Sequence, residues 1–261
     1  MSSELRQRAI VGIILIIVAL GALWAGGFAF WLLLVIAGVL MQGEWGQLVG
    51  ATPEHRKLAM FAVSVPLAIL CPLAAGVSWF ALGLTVAAFL FVLLTTRRMA
   101  LAAGILYVCV PVMALLFLRG QGAGEGESSG LLLSAWALSL VWATDIGAYF
   151  AGRAIGGPKL APRVSPSKTW AGLGGGVLAA LLLGFLLHSF AGLPLHLAAT
   201  SGLLAVAAQL GDLFESAMKR RAGVKDSGRL LPGHGGVMDR LDGVVAAAPL
   251  AALFVLFPGL L

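Results

Sequence analysis

The stretch LLLSAWALSLVWATDIGAYFAGR, residues 131–153, decides the fold class. It contains one charged residue, Asp145, before it reaches Arg153. An apolar helix of roughly 20 residues can cross the hydrocarbon core of a bilayer. A carboxylate at such depth is costly, and it is by default a candidate for function. The stretch therefore predicts a transmembrane helix that carries a functional aspartate near its end.

Apolar runs of the same character occupy most of the chain. Of its 261 residues, 60% are hydrophobic and 11% are charged, and a water-soluble domain of this length could not bury so much apolar surface. We predict an all-α, polytopic integral membrane protein. Nine such runs predict about nine transmembrane helices. They are Ile10–Trp24, Phe28–Met41, Leu58–Leu70, Val77–Leu94, Leu101–Leu118, Leu131–Phe150, Leu173–Phe190, Leu197–Leu210 and Val244–Leu261.

The basic residues set the expected orientation. If nine helices alternate from a cytoplasmic N-terminus, 16 of the 17 lysines and arginines lie in cytoplasmic segments, and only Arg119 lies outside. This distribution satisfies the positive-inside rule and predicts that the C-terminus lies outside. The sequence pI of about 9.9 then reflects attraction to anionic membrane lipid rather than binding of nucleic acid.

We divide the chain into two parts. Residues 1–130 contain about five predicted helices and the outer linker QGAGEGESSG, and residues 131–261 contain the predicted catalytic part. The two longest predicted cytoplasmic connections, residues 151–170 and 219–243, belong to this second part. We expect the chemistry there, because it holds all five aspartates of the chain, namely Asp145, Asp212, Asp226, Asp239 and Asp242.

The spacing of the aspartates suggests a metal site. If the helix that contains Asp212 continues into the cytoplasm, Asp212, Ser216 and Lys219 follow i, i+4 and i+7 and share one face. Asp239 and Asp242, at i and i+3, also point in one direction. Carboxylates without cysteine or histidine partners suit a hard cation such as Mg²⁺ better than zinc.

His234 lies in the segment PGHGG, residues 232–236. Its neighbouring glycines allow a backbone to approach a ligand closely. A lone histidine is nevertheless more often structural, so a ligand-binding and a structural role both remain open for it.

The connection 151–170 combines cations with hydroxyl groups. Arg153, Lys159, Arg163 and Lys168 stand beside Ser165, Ser167 and Thr169, and a glycine-rich helix start follows. Phosphate oxygens prefer such groups, although the positive-inside rule alone would also explain the four cations. The GxxxxGK[ST] spacing of a P-loop is absent. Together with the aspartates, this connection favours phosphoryl or nucleotidyl transfer, in which a protein mainly positions and neutralises phosphates.

The segment SAMKRRAGVKDSGRLLPGHGGVMDRLDG, residues 216–243, resembles the signature of the phosphatidate cytidylyltransferases, also called CDP-diacylglycerol synthases. Their pattern is Ser-x-x-Lys-Arg, four residues, Lys-Asp-x-Gly, then Pro-x-His-Gly-Gly-x-x-Asp-Arg-x-Asp. The segments TDIGAYFAGRAIGGPKLAPRVSPSKTWAG and QLGDLFES are also similar to the family. The sequence departs from it at Ala171, where many members carry glutamate.

The resemblance implies that CTP and phosphatidate react to give CDP-diacylglycerol and pyrophosphate, at a site that faces the cytoplasm of a bacterial inner membrane. It implies a Mg²⁺ site, with room for a second cation, at Asp212 and Asp239, with Asp145 and Asp242 as further candidates. Lys219 would neutralise charge at the reacting phosphorus. The residues expected to bind substrate are Ser165, Lys168, Ser216, Arg220, Lys225, Asp226, His234, Gly235, Gly236 and Arg240.

Two other functions remain open at this point. Intramembrane aspartates also occur in ion-coupled transporters, although here they gather at one predicted membrane face and the sequence has no internal repeat. A CDP-alcohol phosphatidyltransferase also uses aspartates and Mg²⁺, but its Asp-Gly-x-x-Ala-Arg pattern is absent. The sequence does not set the oligomeric state, and it is compatible with a homodimer.

Overall fold

A computed structural model of the protein describes residues 3–122, 128–231, 233 and 235–258. Within these residues the chain forms nine α-helices and two short strands, and each predicted apolar run corresponds to one helix. The elements are α1 (Ser3–Ala25), α2 (Gly27–Leu48), α3 (Pro53–Ile69), α4 (Trp79–Thr96), α5 (Met99–Gly120), α6 (Ser128–Ala154), β1 (Lys159–Ala161), β2 (Ser165–Thr169), α7 (Trp170–Ala191), α8 (Leu195–Arg221) and α9 (Met238–Leu256).

Six of the described helices are long and apolar enough to cross a membrane. They are α2, α4, α5, α6, α7 and α8. The structure therefore confirms an all-α membrane protein. The count of nine crossings and the orientation of the two termini stay predictions.

The predicted cytoplasmic connection 151–170 contains a small antiparallel hairpin that the sequence analysis did not predict. Strands β1 and β2 pair, with Lys159 opposite Thr169 and Ala161 opposite Ser165. Thr169 then starts α7, because its side chain accepts a hydrogen bond from the backbone N–H of Gly172 at 3.0 Å. This is an ordinary N-cap, which satisfies one of the free N–H groups at a helix start. The hairpin is thus fixed directly to the beginning of α7.

The described residues form two compact units. The first comprises Met1–Phe117 with Arg221–Leu241, and the second comprises Leu118–Arg220 with Asp242–Leu261, apart from the residues that are not described. Segment 221–241, which holds most of the signature, thus folds with the first helices of the chain. The division of the sequence at residue 130 stays a prediction.

In the first unit, α2 packs against α1 and α3, and α3 packs against α4. Two indole groups tie the helices together. Trp31 Nε1 donates to the carbonyl of Leu67 at 2.9 Å, and Trp45 Nε1 donates to the carbonyl of Ala100 at 2.7 Å. Such bonds satisfy tryptophan N–H groups in an apolar environment, where an unpaired donor would be costly.

In the second unit, α6 packs closely against α7. A Cβ atom added to Gly147 would lie 2.6 Å from the carbonyl oxygen of Gly175, and one added to Gly176 would lie 2.9 Å from the carbonyl oxygen of Thr144. Small residues allow two helix backbones to approach in a membrane. The glycine-rich start of α7 therefore serves helix packing, and this packing fixes the part of α6 that carries Asp145.

Candidate active site

The signature segment of the first unit is organised around Asp239, the second residue of α9. One oxygen, Asp239 Oδ2, accepts hydrogen bonds from the backbone N–H of Ser227 at 2.8 Å, the Ser227 hydroxyl at 2.9 Å and the backbone N–H of Gly236 at 2.7 Å. Bonds to an ionised acceptor are stronger than bonds between neutral groups. Asp239 therefore holds together the two ends of the segment between Ser227 and Gly236.

A second carboxylate, Glu44 of α2, lies in the same cluster and was not among the predicted site residues. Its side chain is buried, with 3% of the residue exposed. Its oxygens accept from the backbone N–H of Val237 at 2.9 Å, the backbone N–H of Met238 at 2.8 Å and the Ser227 hydroxyl at 3.0 Å. The prediction that all chemistry-bearing residues lie beyond residue 130 therefore missed a carboxylate that holds the signature segment. The available signal was an acidic residue just beyond the predicted apolar run Phe28–Met41, and α2 extends to Leu48 and includes it.

The glycines of the signature make room for these two carboxylates. A Cβ atom on Gly228 would lie 2.6 Å from Glu44 Oε1, and one on Gly236 would lie 2.5 Å from Glu44 Oε2. Gly235 has a φ of +80°, and a Cβ atom there would lie 2.7 Å from Asp239 Oδ2. The sequence analysis predicted that Gly235 and Gly236, beside His234, allow a ligand to approach closely. In the structure their contacts are with the protein's own carboxylates.

The second unit holds a different cluster around Asp212 of α8. Lys168 Nζ, on strand β2, lies 2.5 Å from Asp212 Oδ2 and donates to the side-chain oxygen of Gln209 at 3.0 Å. The Ser216 hydroxyl donates to Asp212 Oδ1 at 3.2 Å. The predicted common face of Asp212 and Ser216 is confirmed, and the hairpin brings Lys168 to that face.

Asp145 and Asp242 belong to the same cluster of the second unit. The negative charge of Asp212 acts on both, and Asp242 also experiences the charges of Asp145 and Lys219. Like charges brought together in a partly buried site repel one another, which makes such a site receptive to a cation. The structure thus brings together three of the four predicted metal ligands in one unit.

The donor set of this cluster fits Mg²⁺ in kind. Among the residues that the structure describes, no three histidine, cysteine, aspartate or glutamate side chains lie close enough to hold one ion. Mg²⁺ usually takes only one or two carboxylates and completes its shell with water and substrate phosphates. A carboxylate pair that includes Asp212 therefore suits this cation, with the remaining oxygens supplied by a phosphate substrate.

Lys219, near the end of α8, contacts a carboxylate that the sequence analysis did not name, and its predicted role at the reacting phosphorus stays a prediction. Lys219 Nζ donates to Glu215 Oε1 at 3.0 Å, and the Glu215 side chain is fully buried. At the next residue, Arg220 Nε donates to the carbonyl of Val164 at 3.4 Å, between the strands of the hairpin. The end of α8 thus holds a buried ion pair and contacts the hairpin.

The remaining predicted site residues that the structure describes are exposed or half-buried. Ser165 is half-buried at the start of β2, Lys225 and Asp226 are exposed in the turn before Ser227, and Arg240 is exposed on α9. His234 lies outside the described residues.

Comparison with known proteins identifies the family of the chain. A model of the cytidylyltransferase family matches residues 6–257. A phosphatidate cytidylyltransferase of Brucella suis biovar 1 (strain 1330) is 42% identical over 259 residues, which cover 97% of this chain and 93% of the relative. The phosphatidate cytidylyltransferase of Pseudomonas aeruginosa is 35% identical over 95% of this chain and 96% of its own length. That of Haemophilus influenzae is 44% identical over 154 residues, 56% of this chain and 53% of the relative. With the matched signature and its two carboxylate clusters, the chain belongs to the cytidylyltransferase family.

Proposed function

We propose that this protein transfers the cytidylyl group of CTP to phosphatidate and releases pyrophosphate. An oxygen of the phosphatidate headgroup forms a bond with the α-phosphorus of CTP, and the bond between that phosphorus and the β-phosphate oxygen breaks. The products are CDP-diacylglycerol and pyrophosphate. The headgroup is already an anionic nucleophile, so the reaction needs no strong general base.

The observation that carries this proposal is the cluster of Asp212, Lys168 and Ser216 in a chain that belongs to the family over nearly its whole length. Transfer of a nucleotidyl group depends on positioning and on neutralising phosphate charge. The cluster offers both, because it combines carboxylates for a cation with a lysine that reaches them from a separate element.

We assign Asp212, paired with either Asp145 or Asp242, to holding Mg²⁺, which when bound would neutralise the triphosphate of CTP. Lys168 offsets the charge of Asp212 in the structure and would bind a phosphate oxygen in the complex. The role of Asp239 as a further metal ligand is carried over from the family resemblance. Its observed contacts support a role in shaping the signature segment.

The reaction can be tested with purified protein in detergent micelles that contain phosphatidate. CTP labelled at its α-phosphorus should give a labelled lipid, and unlabelled pyrophosphate should appear in equal amount. Diacylglycerol in place of phosphatidate is the control, because it lacks the phosphate nucleophile and should give no product. Absence of labelled lipid with phosphatidate would contradict the proposal and reopen the transporter alternative.

We also propose that the active site faces the cytoplasm of a bacterial inner membrane, with the N-terminus on the same side. The charge distribution described above supports this orientation. In a variant without Cys71 and Cys109, a single cysteine can be introduced at either of two exposed positions. These are Leu73, between α3 and α4, and Val224, which follows α8. In intact cells an impermeant thiol reagent should label Leu73→Cys and not Val224→Cys. Labelling of both would contradict the orientation.

A further inference from the structure

The start of α9 receives hydrogen-bond acceptors from another helix. The first N–H groups of a helix have no partner within the helix and need acceptors from elsewhere. Val237 precedes α9, and an apolar side chain at this position cannot accept a hydrogen bond. Both the Val237 and Met238 N–H groups instead donate to Glu44 of α2, at 2.9 and 2.8 Å. A carboxylate also interacts favourably with the positive end of the helix dipole. Glu44 therefore caps α9 from another helix.

Glu44 is linked to Asp239 through one hydroxyl group. Ser227 Oγ lies 3.0 Å from Glu44 Oε2 and 2.9 Å from Asp239 Oδ2. A serine hydroxyl has a single proton, so it can donate to only one of these two oxygens at a time. The two carboxylates thus share one donor, and a displacement of Glu44 changes the hydrogen bonding available to Asp239.

The backbone of the signature segment is shaped around the Glu44 side chain. The Glu44 oxygens lie where side chains of Gly228 and Gly236 would otherwise be. Glu44 is buried and ionisable, and a buried carboxylate without its hydrogen bonds would be destabilising. Segment 227–238 supplies three such bonds, two of them from backbone N–H groups whose positions depend on the fold of the segment.

We propose that Glu44 is a positioning residue for the cytidylyltransferase reaction. It sets the positions of Ser227 and Val237 and the start of α9, and through Ser227 it fixes the carboxylate of Asp239. The expected effect on catalysis rests on the proposed function. The structural role rests only on the hydrogen bonds of Glu44.

The test compares Glu44→Gln with the wild type in the same detergent. Glutamine keeps the volume but places an NH₂ group among N–H donors, so at least one bond to the segment is lost. We expect kcat to fall about 10- to 100-fold, the usual effect of lost hydrogen bonds to a charged group, while KM for CTP and phosphatidate changes little. Amide hydrogen exchange should accelerate in peptides covering residues 225–238 and remain unchanged elsewhere. Glu44→Asp, which keeps the carboxylate, should recover part of both losses.

Gln42→Met is the matched control, because Gln42 is buried in the same helix and its amide atoms have no hydrogen-bond partner in the described part of the chain. A methionine conserves its volume, so kcat and exchange in residues 225–238 should stay near the wild-type values. If Glu44→Gln does not fold, Ser227→Ala provides a second variant. It removes only the shared hydroxyl, and it should accelerate exchange in the same segment and lower kcat.

Two results would overturn the inference. One is wild-type kcat and wild-type exchange in Glu44→Gln and Ser227→Ala. The other is accelerated exchange along the whole chain, which would make Glu44 a general contributor to stability. If the wild-type protein forms no CDP-diacylglycerol, the proposed function fails by itself. The exchange data then test the structural part of the inference separately. Faster exchange confined to residues 225–238 supports the role of Glu44, and unchanged exchange there overturns it.

Discussion

The two carboxylate clusters differ in what surrounds their charges. In the first unit, Glu44 and Asp239 accept hydrogen bonds from backbone N–H groups and from Ser227. In the second unit, the Asp212 carboxylate contacts side chains, Lys168 and Ser216, and repels other carboxylates. The Asp212 side chain is also 29% exposed, compared with 3% for the whole residue Glu44.

This difference indicates a structural role for the first cluster and a chemical role for the second. Backbone donors are fixed by the fold, so the first cluster has a rigid arrangement that holds a segment in place. A lysine side chain on a hairpin can exchange one anion for another, and crowded carboxylates attract a cation. The second cluster is therefore suited to take up and release charged substrates, and the first is suited to hold the signature segment in place.

The strongest test of this comparison is Asp212→Asn. Loss of the central charge of the second cluster should lower kcat by about 10³-fold or more, as expected when a group that stabilises a charged transition state is removed. Folding should be unaffected, because the change relieves repulsion. Initial rates at saturating Mg²⁺ and the melting temperature are the measurements. Glu54→Gln, the same kind of change at an exposed site on α3, is the control. Activity of Asp212→Asn near that of the control would contradict the assignment.

Asp239→Asn should lower kcat by about 10²- to 10³-fold, but through a different cause. The asparagine can no longer accept all three hydrogen bonds at one charged oxygen, so the segment between Ser227 and Gly236 should loosen. Hydrogen exchange of residues 225–238 should rise in this variant and stay unchanged in Asp212→Asn. Equal exchange in the two variants would remove the distinction between the clusters.

The sequence predicted the helices well, because each apolar run is long and the membrane permits few alternatives to a helix. The hairpin of β1 and β2 was missed, since KLAPRVSPSKT shows no clear alternation of apolar and polar residues. Strands this short depend on their surroundings more than on their own pattern.

The site was predictable where spacing along one helix decides which residues meet. Asp212 and Ser216, four residues apart, share a face as expected. Glu44 was not predictable in this way, because its partners Ser227 and Met238 lie 183 and 194 residues further along the chain. Only the tertiary fold brings them together.

The buried pair of Lys219 and Glu215 tests whether the end of α8 belongs to the chemistry or to the fold. Lys219→Ala leaves a buried carboxylate without this ion pair, which should lower the free energy of unfolding by about 3–5 kcal/mol. The double variant Lys219→Met with Glu215→Gln removes both charges and should recover most of that stability. Denaturation in detergent measures both effects.

The activity of the double variant then decides the role of Lys219. A low kcat in a stable double variant would support the predicted neutralisation of charge at the reacting phosphorus. A wild-type kcat would restrict Lys219 to a structural role and contradict that prediction.

Lys168 should give the smallest effect, and it tests whether the lysine exchanges Asp212 for a substrate phosphate. If Lys168 binds ground-state phosphate, Lys168→Ala should raise KM for CTP about tenfold, equivalent to about 1.4 kcal/mol, with a smaller change in kcat. Lys159→Ala is the matched control, because Lys159 is an exposed lysine on the other strand of the same hairpin. General attraction of the basic surface to anionic lipid, worth about 1 kcal/mol per residue, should affect both variants equally and should disappear at high salt. A salt-resistant rise in KM for CTP in Lys168→Ala alone would place the lysine at the phosphate. Equal behaviour of the two variants would leave Lys168 as a counter-ion of Asp212 only, and the second cluster would then lack the exchangeable cation that distinguishes it from the first.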